Sequence, residues 1–214
     1  SRVASLILQN GGSHVRPAVN ETSSDSFEQA ALNIDERAKN LFSDIAGVLE
    51  EGTVYSAKNN GENIELRRGQ KRTGLIHIIT RRYEEKVLNK KVNMSPEQAM
   101  KEITALSYLI ADSLDKGEMK QTPKGNWEIN LNGIQSIITK DRNGKFVLTG
   151  YEFNDTIEAA RSSINAVIAQ YGNTPEFLGV YAQVGAALTS YNYSINQSNS
   201  PVNEMTDEAR VSAF

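Results

Sequence analysis

The chain has 214 residues, 39% of them hydrophobic and 23% charged, enough for one domain with a true core or for one domain with appended helices. It has no cysteine, which excludes disulfides, thiolate catalysis and Cys-based zinc sites, and which fits a reducing or intracellular setting or a chain that must unfold and refold during delivery. No apolar run approaches the roughly 18 residues of a membrane span, so no membrane partner is expected, and a first residue of Ser1 rather than Met fits a piece of a longer protein.

Residues 1–24 are polar and rich in Ser, Asn and Gly and read as a tail or linker, with His14 inert within it. Ser26 with Gln29 three residues later is a capping signal. Apolar residues from Ala30 to Leu49 follow at helical spacing, Leu41, Phe42 and Ile45 among them. They predict one long amphipathic helix, or two broken near Asn33-Ile34-Asp35, ending at Gly52. The β-prone runs Thr53–Ser56 and Ile64–Arg67 flank Asn60-Gly61, the pattern of a hairpin. From Gly74 to about Lys90, Leu75, Ile78, Ile79 and Tyr83 recur at helical offsets, although four β-branched residues among the first seven leave a strand over Leu75–Thr80 open. Ser95-Pro96-Glu97-Gln98 opens a helix with a cap, a proline at the first turn and a capping box, and Gly117 ends it. Trp127–Leu131, Ile134–Lys140 and Lys145–Phe153 then alternate with Asn132-Gly133 and Asn143-Gly144, an antiparallel meander. A helix capped by Asp155 or Thr156 runs to about Tyr171, and another runs from Pro175 to Tyr193. The fold class expected is α+β, with helices packed on one face of a small antiparallel sheet. Residues 25–155 form that domain, 156–193 a helical extension and 194–214 a polar, disordered tail.

The net charge is −3, unevenly spread. Between Ile64 and Lys91 nine cations face three carboxylates, a local +6 that leaves −9 on the rest of the chain. A basic patch on an acidic body attracts phosphate locally, and Arg67, Arg68, Lys71, Arg72, Arg82 and Lys86 are its nucleic-acid-binding candidates; the competing reading is a solvated surface. Within the patch His77 precedes Arg81 by four residues, a spacing that puts both on one helix face. Imidazole is the side chain that exchanges a proton near neutrality, and a guanidinium offsets charge on a phosphorane-like transition state. On the third meander strand, Thr149 and Tyr151 fall on one face by the period-two rule, opposite Phe146, Leu148 and Gly150. Together these four give candidate catalytic residues on an open sheet face: Arg81 for charge, His77 for protons, Tyr151 to stack on a base or donate a proton, and Thr149 to bond a nonbridging oxygen. Each also has an ordinary structural use, since Thr and Tyr are good strand formers and a lone histidine is most often a satisfied one. Trp127 reads as core or edge packing, and Lys140, Asp141 and Arg142 as solvated turn residues. No metal-binding motif and no phosphate-cradling Gly-rich loop is present, so no metal and no cofactor is expected.

Gly74-Leu75-Ile76-His77-Ile78-Ile79 with Arg81-Arg82, then a helix and a strand ending Phe146-Val147-Leu148-Thr149-Gly150-Tyr151-Glu152, resembles the phage-type nuclease domains of the barnase–EndoU–colicin–RelE-like superfamily. Such domains end phage head-morphogenesis proteins related to the Mu F protein, and bacterial polymorphic toxins. The resemblance spans roughly Thr53 to Glu152. It implies helices on one side of an antiparallel sheet and metal-independent RNA cleavage through a 2′,3′-cyclic phosphate. It places the histidine on His77, the arginine on Arg81 or Arg82, and the strand pair on Thr149 and Tyr151. It further implies RNA as substrate, an immunity or inhibitor protein and a larger phage or toxin carrier chain as partners, and action in the cytoplasm of a bacterial host or target cell or in association with a virion. The rival expectation is a non-catalytic module that binds nucleic acid or assembles a particle.

Overall fold

The computed structural model describes residues 34–70, 72–89, 92–123, 125–153 and 157–191. Helix α1 (Glu36–Glu50) starts where the Asp35 carboxylate accepts the Ala38 N–H at 2.7 Å, within the Asn33-Ile34-Asp35 stretch where the sequence allows a break. The Ser26 cap, the tails at 1–24 and 194–214, His14 and the Asp155–Thr156 cap lie outside the described residues.

The hairpin β1 (Tyr55–Asn59) and β2 (Glu62–Leu66) closes through Asn60 and Gly61, both at positive φ, as a two-residue turn of this hand requires. Helix α2 (Gly74–Tyr83) continues into a π-helical turn, Glu84–Leu88. Helix α3 (Pro96–Lys116) carries the Ser95 cap on the Gln98 N–H and stops at Gly117. Strands β3 (Glu118–Gln121), β4 (Trp127–Leu131), β5 (Ile134–Lys140) and β6 (Phe146–Phe153) follow, then helices α4 (Ile157–Tyr171) and α5 (Pro175–Ser190). The His77 segment is thus helical despite its β-branched residues, because Leu75, Ile76, Ile79 and Tyr83 bury one continuous stripe.

One six-stranded sheet runs in the order β1-β2-β6-β5-β4-β3. The expected meander is present and antiparallel. Two features depart from expectation. β3 adds a charged, mostly exposed strand to the meander's edge. The hairpin joins β6 in parallel through Ile64↔Phe146 and Glu65↔Val147, so the sheet is mixed rather than purely antiparallel. The α+β class stands, with helices against one face. That face carries Ile64, Leu66, Ile129, Ile134, Ile138, Phe146 and Leu148, all buried, while Gln135, Ile137 and Val147 on the other face are only partly covered.

The core is continuous from the sheet through α3 to the remaining helices. Phe42 of α1 stacks on Tyr108 of α3 at 4.6 Å between centroids and meets Tyr171 of α4 and Phe177 of α5 edge-on. The stretch read as a helical extension therefore supplies two helices to the same core. Asn59 at the end of β1 is buried and donates to the Leu114 and Gly117 carbonyls, closing the C-terminus of α3 that helix geometry leaves open. No helix of the described residues is long and apolar enough to cross a membrane.

Candidate active site

The segment between β2 and α2 sets the position of the His77 helix. Thr73 offers α2 no side-chain cap; instead the Leu75 and Ile76 N–H groups donate to the Arg67 and Arg68 carbonyls, each at 3.0 Å. This tight return needs glycine at both ends. Gly69 and Gly74 have φ of +65° and +69°, and a Cβ on Gly74 would stand 2.7 Å from the Arg67 carbonyl oxygen. Arg68 anchors the segment to α1 through Nε and the Leu49 carbonyl, at 2.8 Å. α2 is thereby held beside β6.

Among the described residues, β6 has a free edge there. Its registered pairing with β2 ends at Val147, while its pairing with β5 continues to Phe153. Between Ile137↔Gly150 and Ile138↔Leu148 the register slips by one residue, so Thr149 is the extra residue of a β-bulge, and its hydroxyl donates to the Ile137 carbonyl at 3.2 Å. The bulge corrects the expected facing. Cross-strand partners share a face. Tyr151 opposite Ser136 and Phe153 opposite Ile134 therefore lie on the same, helix-packed face as Leu148, and not with Thr149 on the open one.

The result is a cleft of about 420 Å³ at this edge, to which Ile137 and Thr149 contribute from the open face. His77, Ile78, Arg81, Arg82 and Glu85 line it from α2 and its π turn, a stripe at helical offsets; Thr149, Gly150, Tyr151 and Phe153 line it from β6. All four residues singled out for catalysis are there, in spite of the altered facing, because the bulge turns the strand as it passes the helix.

The two arginines differ. Arg82 is buried to 16% exposure, its guanidinium 4.2 Å from the centroid of the Phe153 ring and 5.4 Å from that of Tyr151, with one terminal nitrogen 2.6 Å from Glu85. Its Nε is buried without a hydrogen-bond partner, a donor of the kind that functional sites leave open. Arg81 is 68% exposed, bonded to Glu85 through Nε at 3.0 Å, with its terminal nitrogens bonded to no described residue. Burial would raise the Glu85 carboxyl, but the hydrogen bonds from Arg82 and Arg81 outweigh it and hold the group below the usual carboxylate range. Burial pushes the Tyr151 phenol well above its ordinary value, which favours its neutral form.

The nucleic-acid-binding candidates scatter. Arg67 is taken up by Glu65 and by Asp141, the latter at 2.8 Å; Lys86 pairs with Glu102; Arg68 is structural. Arg72 is exposed, pairs with no described residue and lines a neighbouring cleft of about 390 Å³. Lys71 lies outside the described residues. Asp141 is more than a solvated turn residue, since it accepts the Asn143 and Lys145 N–H groups as well as Arg67. Trp127 packs edge-on against Phe146, as expected. Among the described residues no cluster of three His, Asp or Glu side chains is placed to hold a metal ion. Glu85 escaped the sequence reading although its spacing from Arg81 and Arg82 signals it; Phe153 did so because nothing local announces the bulge.

The chain matches no family model, no curated protein and no solved structure.

Proposed function

We propose that this chain is a metal-independent endoribonuclease, acting as a phage-associated or polymorphic toxin effector inside a bacterial cell. The observation that carries this reading is the meeting of His77, Arg81, Thr149 and Tyr151, from segments far apart in sequence, in one cleft. In the proposed reaction the RNA 2′-oxygen attacks the adjacent phosphorus while His77 takes the 2′-OH proton. The bond from phosphorus to the 5′-oxygen breaks, and the proton returns from His77 to that oxygen, leaving a 2′,3′-cyclic phosphate. Arg81 offsets the charge gathering on the phosphoryl oxygens, with Arg82 fixed behind it on the aromatic rings. Tyr151 donates a hydrogen bond from its neutral phenol, and Thr149, whose hydroxyl bonds the Ile137 carbonyl, lines the same space. An immunity protein and a carrier chain belong to the same proposal.

The test is incubation of the folded protein with total RNA in EDTA beside His77→Ala. Cleavage by the parent, and a loss of about 10²–10⁴-fold in the variant, is the expected result. A variant as fast as the parent removes His77 from the mechanism. One observation favours the particle-assembly form of a second reading, a non-catalytic nucleic-acid-binding or particle-assembly module: Arg67, Arg81, Arg82 and Lys86 already bond carboxylates, which lowers the field that a nucleic acid would meet. Intact RNA with both folded proteins would select it.

A further inference from the structure

The central cleft has a neighbour on each side. Toward the start of β6 lies the cleft lined by Arg72, Thr73, Thr139 and Val147, and Thr149 borders it and the central cleft alike. Past the end of β6 lies a third, of about 690 Å³, lined by Arg161, Asn165, Gln98 and Met94; Arg82, Glu85, Phe153 and Ile157 border it and the central cleft alike. The three therefore follow one another along β6, where Val147 to Phe153 alone span about 20 Å at roughly 3.3 Å per residue.

The cations sort by cleft. Arg67, Arg82 and Lys86 are neutralised by carboxylates within the fold. Arg72 in the first cleft and Arg161 in the third are exposed and bond no described residue, and Arg81 in the central one presents its terminal nitrogens. Each cleft thus keeps one exposed arginine with bonding capacity to spare, and the three clefts follow a single strand.

We propose that these clefts form one groove for an extended single strand of RNA laid along β6, with Arg72, Arg81 and Arg161 each taking a backbone phosphate. The proposal rests on the nuclease reading for the nature of the polymer and extends it to a substrate long enough for its phosphates to be met at three separate points along β6. Separate pockets in a line fit a strand that can bend and turn its bases out, whereas a duplex presents its phosphates on a stiff cylinder. Gln98 and Asn165, whose amides can bond a base edge, line the third cleft.

The experiment measures binding of a 2′-O-methyl octanucleotide, which the 2′-OH mechanism cannot cut, to the parent, Arg72→Ala and Arg161→Ala over a range of salt. In parallel, natural RNAs of two to eight nucleotides are assayed for cleavage. At about 0.7 per neutralised phosphate, the parent should show a log–log salt slope near −2, and each variant a slope shallower by about 0.7. Lengthening the RNA should raise the parent's kcat/KM about tenfold, and each variant should lose most of that gain. Slopes equal in the parent and both variants, or no binding at all, overturn the groove whatever the cleavage result. Slopes that fall as expected while natural RNA stays whole support the groove and overturn the nuclease reading. Because both residues are exposed, a merely structural loss would appear as a lower Tm and not as a change of salt slope.

Discussion

Arg81 and Arg82 share one carboxylate yet sit in opposite surroundings, so their substitutions should separate stability from activity. Arg82 is buried on two rings, and its loss leaves Glu85 with one partner and the Phe153 face bare. Arg82→Ala should lower stability by about 1–3 kcal/mol and also slow cleavage. Arg81 spends only its Nε within the fold and is mostly exposed. Arg81→Ala should move stability by less than about 0.5 kcal/mol while reducing kcat by about 10²-fold or more. Denaturant melts beside single-turnover rates check both, and equal stability losses would contradict the difference drawn between the two sites. The sequence places the histidine and a pair of arginines but leaves the choice between Arg81 and Arg82 open. That choice depends on which of them meets the rings of β6, a contact made across the fold.

At the scale of the element, α2 depends on the turn that delivers it. Gly74→Ala would force a Cβ against the Arg67 carbonyl oxygen at a positive φ, and should cost about 1–3 kcal/mol while displacing His77 and Arg81 from β6 together. A loss of activity larger than the stability change explains would show up as reduced kcat in protein that is still fully folded by circular dichroism. The helices and the three-stranded meander are legible from capping residues, apolar spacing and Asn-Gly turns, because those signals act within a few residues. β3 is not, since Glu118-Met119-Lys120-Gln121 has weak strand preference and exists by pairing with β4. Nor is the parallel contact of β2 with β6, nor the bulge at Thr149 that undoes the simple period-two facing of Tyr151. Arg161 enters the third cleft only because α4 packs where it does, and nothing around it in sequence marks it.

For the whole molecule, two kinds of tie hold the layers, and they respond to different stresses. The aromatic cluster centred on Phe42 joins four helices without charge, so Phe42→Ala should cost about 3–5 kcal/mol at any pH. The parallel junction of β2 and β6 is tied differently. Glu65 on β2 accepts from Lys145 and Arg67, and Asp141 at the β5–β6 turn accepts from Arg67. The hydrogen bonds of Lys145 and Arg67 hold Glu65 below the usual carboxylate range, and the Arg67 hydrogen bond does the same for Asp141. Glu85 is lowered as well, against its burial, by Arg82 and Arg81. A carboxylate with a lower pKa folded than unfolded binds fewer protons in the native state. Its contribution is then complete above the unfolded value, about 4, and drains away as pH falls through the folded value. Stability should therefore be level from about pH 8 to 5 and fall below about pH 4. Arg67→Ala removes the partner common to Glu65 and Asp141 and should flatten that acid limb, whereas Phe42→Ala should lower the whole curve without changing its shape. Urea melts of the three proteins from pH 3 to 8 make the comparison; an acid limb just as steep in Arg67→Ala would mean that the junction is held by its backbone pairing and not by its charges.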